Sequence, residues 1–62
     1  MEYKGYSIKP RNEGFGYEVV RNGINPMPGA VWFVNIERAQ KGIDALIQSN
    51  GNTELYWVLV KQ

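Results

Sequence analysis

Neither cysteine nor histidine occurs anywhere in the 62-residue sequence. The first absence excludes disulfides, and the two together leave only carboxylates for zinc, a poor donor set for a metal that favours thiolate and imidazole. They also remove the thiol and the imidazole on which most nucleophilic and acid–base catalysis relies. Ser7 and Ser49 stand in no context that would activate a hydroxyl. Glu13 with Glu18, or Glu37 with Asp44, could be paired on paper, but Glu37 and Asp44 read as a solvated helix surface with Arg38 and Lys41. The expectation is therefore a protein that is not an enzyme and takes no cofactor.

A long apolar run is missing too, since none approaches the ~18 residues that a membrane helix needs. The chain opens on no basic leader with an apolar segment behind it, so a soluble, cytoplasmic protein with no membrane partner is expected. The lack of cysteine fits a reducing compartment. Charge of one sign is also absent: seven basic side chains against six acidic give a net charge of +1. Such a balance does not by itself argue for nucleic acid, whose binders usually gather a basic excess on one face.

What is present is enough for one domain, residues 1–62. A chain of this size buries only about 60% of the surface exposed when unfolded, and without bridges or metal its natural supplement is self-association. Residues 3–9 ("YKGYSIK") are rich in aromatic and β-branched side chains and read as a first strand ending at Pro10. A turn follows in "PRNEGFG", and residues 17–21 form a second strand closed by Asn22-Gly23. Pro26 and Pro28 lack the amide proton that a ladder needs, so residues 22–29 read as a loop. Residues 30–34 ("AVWFV") make a third strand.

Asn35 is a good N-cap and Glu37 suits the positive end of a helix dipole. From there Ile36, Ala39, Ile43, Leu46 and Ile47 trace one amphipathic stripe, which ends near Asn50-Gly51. Residues 54–60 ("ELYWVLV") read as a final strand. The expected fold is α+β, a two-layer sandwich of a mainly antiparallel sheet and one helix in the order βββαβ.

In that arrangement Leu55, Trp57 and Leu59 face one way and Tyr56, Val58 and Val60 the other. Both sets are apolar, and one helix covers one face only. The uncovered face would carry Tyr56, Val58, Val60 and Trp32, with Ile24 and Met27 at its rim, and would dock a protein partner or a second copy as a homodimer. Prolines on both sides of Met27 restrict the loop, which suits Met27 better as a lid over the sheet edge than as a contact point. Gly42 lies at the flank of the helical stripe and reads as a place of close helix-to-sheet packing.

"GFGY" at residues 14–17 reads as a turn with Phe15 folded onto the core, because no helix follows it as a phosphate loop would require. An alternative nucleic-acid role would use Lys4, Lys9, Arg11 and Arg21 interleaved with Tyr3, Tyr6 and Phe15, although Glu2, Glu13 and Glu18 offset much of that charge. A third arrangement, a nucleotide held by Trp32 or Trp57 and a cation, is not selected by any spacing.

The segments "YKGYSI", "GYEVVRNG" and "VWFVNIERAQKGIDALI", across residues 3–47, resemble those of small orphan proteins of phage and prophage genomes. Three strands followed by a helix are also similar to the arm-binding domains of phage-type integrases. This chain is less basic and continues into an apolar segment, and no DNA-contacting residue is carried over. The resemblance implies a small accessory protein that works by binding, such as an inhibitor that blocks a host or defence enzyme.

Overall fold

The computed structural model describes residues 1–61. Lys4 and Gly5 both take positive φ, 50° and 87°, the backbone of a two-residue hairpin turn whose twist matches that of its strands. The segment expected as one strand over residues 3–9 is therefore two, β1 (Glu2–Tyr3) and β2 (Tyr6–Pro10), with Tyr3 opposite Tyr6. β3 (Tyr17–Val20) pairs antiparallel with β2, placing Ser7 opposite Val20 and Ile8 opposite Val19. The sheet order is β1-β2-β3.

Asn22 and Gly23 form a second turn of the same kind, with φ of 54° and 77°. Arg21 and Ile24 exchange backbone hydrogen bonds of 2.8 and 3.1 Å across it. Pairing stops there. The Asn25 side chain takes the Met27 N–H at 2.9 Å, Pro26 and Pro28 have no N–H to offer, and a 3-10 turn over Pro28–Ala30 ends with Ala30 at φ 51°. The chain emerging from that turn meets β3 at a single rung, Phe33 to Tyr17, with hydrogen bonds of 2.7 and 2.8 Å. The third strand expected over residues 30–34 is thus an extended segment with one sheet contact.

The first helix follows expectation. α1 (Ile36–Ser49) starts at Asn35, whose side-chain oxygen accepts the Arg38 N–H at 2.8 Å, and stops at Asn50 in the left-handed conformation. The second helix does not. Residues 54–60 were expected as a strand, but α2 (Thr53–Val60) is helical, capped by the Asn52 side chain accepting from the Leu55 N–H at 3.0 Å. A continuous apolar run has no period from which to choose between the two. Here the cap, Glu54 in the first turn, and a three-residue connection from α1 close an αα-hairpin. The order is βββαα, with α1 and α2 packed together and α1 against β2 and β3.

The core lies between the sheet and the helices: Tyr6, Ile8 and Val19 from the sheet, Ala39, Ile43 and Ala45 from α1, Tyr56 from α2, and Met27 from the loop. Burial of side chains such as Ile8, Val19 and Ile43 contributes roughly 1.5–3 kcal/mol each. Met27 is 3% exposed and acts as the internal lid. Gly42 explains how the extended segment reaches the helix: a Cβ there would lie 2.5 Å from Phe33 Cζ and 3.3 Å from Met27 Cε. Tyr3 shares the helix-facing side of the sheet with Tyr6, because the hairpin turn sets them opposite one another, and the Tyr3 hydroxyl donates to Asp44 of α1 at 3.0 Å.

Candidate functional site

The outward face of the sheet is polar apart from Val20, which lies opposite Ser7. Lys9 pairs across strands with Glu18 at 3.8 Å, and the Ser7 hydroxyl donates to Glu2. The apolar surface expected on a sheet face lies elsewhere, because its intended strand is α2. Leu55, Trp57 and Val58 of α2 and Trp32 and Val34 of the extended segment are exposed. Between α2 and the extended segment runs a groove of about 500 Å³, lined by residues 31–34 on one side, by Tyr56, Trp57 and Val60 on the other, and by Arg38 and Lys41 of α1.

Trp32, 42% exposed, is held by the turn between β2 and β3. The Arg11 guanidinium lies 4.5 Å from the centre of its ring, and Phe15 meets it edge-on at 5.9 Å. Gly16 passes beneath the indole so closely that a Cβ would overlap ring atoms of Trp32 and lie 2.9 Å from the Phe33 carbonyl oxygen. Arg11 is itself fixed by donating to the Phe15 carbonyl at 3.1 Å. Phe15, expected in the core, is instead two-thirds exposed, because Trp32 offers it an edge-to-face partner at the surface.

Trp57, 37% exposed, faces the groove from α2. It packs edge-on against Tyr56 at 5.1 Å and comes within 3.9 Å of the position a Cβ on Gly29 would take. Tyr56 is 1% exposed and its hydroxyl, buried, has no hydrogen-bond partner among the described residues. Burial raises its pKa above the usual phenol value.

Of the six residues expected at a partner interface, Trp32 and Val60 line the groove from accessible positions. Tyr56 reaches its floor but belongs to the core, so its replacement by a polar residue would disrupt folding as well as any contact. Met27 is buried beneath the loop. Val58 is exposed on another side of α2, and Ile24 is exposed at the tip of the Asn22-Gly23 turn; neither lines the groove.

The four cations expected to form a nucleic-acid surface are dispersed and engaged. Lys4 pairs with Asp44 at 2.7 Å on the helix side, whereas Lys9 pairs with Glu18 on the outer face. Arg11 supports Trp32, and Arg21 lies over the Tyr6 ring at 4.9 Å while donating to its hydroxyl at 3.1 Å. Sequence reasoning missed Arg38, Lys41 and Trp57 as parts of one site. The three-residue spacing of Arg38 and Lys41 already placed them on one helix flank, but Trp57 could be located only once α2 was known to be a helix.

The lining offers aromatic faces, aliphatic side chains and two cationic heads, a set suited to recognition. Among the described residues no cluster of acidic side chains suited to a metal ion is formed, and no helix is long and apolar enough to cross a membrane. Comparison with models of protein families, with curated proteins and with solved structures finds no match to this chain.

Proposed function

We propose that the chain is a small, non-enzymatic protein-binding module that seats its partner in the groove between residues 31–34 and α2. One observation carries this reading: two partly exposed tryptophans border the same groove, each already packed against a neighbouring ring. Tryptophan is enriched among the residues that dominate interface energetics. A side chain fixed before binding loses little further entropy on complex formation. A standard interface takes about 800 Å² from each partner, roughly a fifth of this molecule's 4245 Å², so a footprint centred on the groove would extend over neighbouring exposed side chains. The resemblance of residues 3–47 to phage and prophage accessory proteins supports a host or defence enzyme as that partner, with inhibition by occlusion as the mode of action.

The reading is tested by selecting binders from a display library of random peptides and measuring their affinity for the wild type, Trp32→Ala and Trp57→Ser. Folding of each variant is checked by circular dichroism. We expect selected peptides to lose about thirtyfold in affinity on either folded variant, in keeping with an interface hot spot, and to bind Ile24→Ser and Lys9→Ala normally. Peptides indifferent to both tryptophan substitutions would place the binding surface elsewhere and overturn the proposal.

A further inference from the structure

The lining of the groove also constrains the form of its occupant. Side chains of an extended segment alternate between two faces, yet all four consecutive residues 31–34 border the groove. That is possible when the groove follows the edge of the segment rather than one of its faces. The opposite edge is already taken, because Phe33 directs both its N–H and its C=O to Tyr17 of β3. The planar trans peptides on either side of Phe33 turn the Trp32 C=O and the Val34 N–H the other way, just before the chain bends at Val34. Among the described residues, Trp32 and Val34 make no backbone hydrogen bond.

The groove's charge is one-sided. Among the described residues Arg38 and Lys41 line it and no carboxylate side chain does; Glu37 borders a smaller depression shared with those two cations. The Arg38 guanidinium makes no ion pair among the described residues, its backbone N–H alone being committed, to the Asn35 cap. Both cations stand on α1, just past the point where the extended segment ends.

The geometry points to an extended peptide of apolar and acidic residues that adds as a strand along the open edge of residues 31–34. Its main chain pairs with the Trp32 C=O and the Val34 N–H, its apolar side chains enter between Trp32 and Trp57, and a carboxylate reaches Arg38. Backbone pairing supplies affinity and the pockets for alternate side chains supply selectivity, as in other strand-addition interfaces. The cationic lining favours an acidic segment over a basic one and also disfavours a second copy of this chain, in which no three carboxylates gather into a metal-sized cluster among the described residues.

This inference rests on the proposed groove, and its test separates the two. The probe is a capped, tryptophan-free peptide of alternating Val and Thr with Glu at both ends, followed through the fluorescence of Trp32 and Trp57. Its analogues carry Gln for Glu, or N-methyl groups on alternate amides. On the wild type at low salt, the Glu peptide should bind about fivefold or more tightly than the Gln peptide, the scale of one or two partly exposed charge pairs. The difference should shrink in high salt and in Arg38→Gln, and N-methylation should abolish binding. Equal binding of the Glu and Gln peptides would overturn the acidic preference and leave the groove standing. Tolerance of N-methylation would overturn strand addition. Failure of every peptide, with a fluorescence response to an oligonucleotide or to the chain's own concentration instead, would overturn the inference and the groove together.

Discussion

Tyr56 carries an unresolved conflict at the scale of one residue. Its ring fills the core between α1, α2 and the groove, but its hydroxyl is buried with no partner among the described residues. A buried donor left unpaired costs about 1–3 kcal/mol relative to one that is satisfied, and the ring packs equally well without it. Tyr56→Phe should therefore stabilise the protein by about 1 kcal/mol, a rise in Tm of about 4–8 °C for a domain of this size. Thermal unfolding by circular dichroism measures it. An unchanged or lowered Tm would show that the hydroxyl is hydrogen-bonded in solution. Gly16 and Gly42 illustrate the opposite economy: at each, the missing Cβ is the space that an aromatic ring, Trp32 or Phe33, occupies.

At the scale of elements, α2 is the piece with least support of its own. Eight residues form too short a helix to persist alone, so it depends on packing against α1 and on the Asn52 cap. Asn52→Ala should cost about 1 kcal/mol. In native-state hydrogen exchange it should accelerate the amides of α2 more than those of α1 or β2, because α2 can detach before the rest unfolds; uniform acceleration would mean that the two helices open as one unit. The same element shows what could be read in advance. α1 was legible from end to end because its polar and apolar residues alternate with helical period and its caps are strong. Residues 54–60 carry almost no polar punctuation, so β-branched and aromatic content suggested a strand, while the informative signal, Asn52 followed by Thr53 and Glu54, lay just outside the run. The hairpin at Lys4-Gly5 was hidden for a related reason: β1 is two residues long and leaves no alternation to detect. The groove depends on α2, so its tryptophan pair could not be assembled before that helix was placed.

At the scale of the molecule, the first hairpin is tied to α1 far along the chain by one polar junction. Asp44 accepts hydrogen bonds from Lys4 at 2.7 Å and from the Tyr3 hydroxyl at 3.0 Å. The Lys4 ammonium, chiefly through that hydrogen bond, holds the Asp44 carboxyl below its ordinary value of 3.8, and the Tyr3 hydroxyl adds to the effect. Asp44 in turn raises Lys4 above its ordinary 10.5. A carboxyl whose pKa is lower folded than unfolded binds fewer protons in the native state. Its contribution is therefore fully present at neutral pH and is lost as pH falls below 3.8 through the folded value. For Lys4 the sign reverses, and its contribution fades as pH rises past 10.5. Because the pair is partly exposed, salt should weaken both effects. Urea titrations from neutral pH to below 3.8 should show the midpoint of the wild type falling in acid. Asp44→Asn should start lower at neutral pH and lose less on acidification, the two curves converging at the acid end. Parallel curves would show that the acid sensitivity arises at other carboxylates and that this junction contributes nothing to the coupling between sheet and helix.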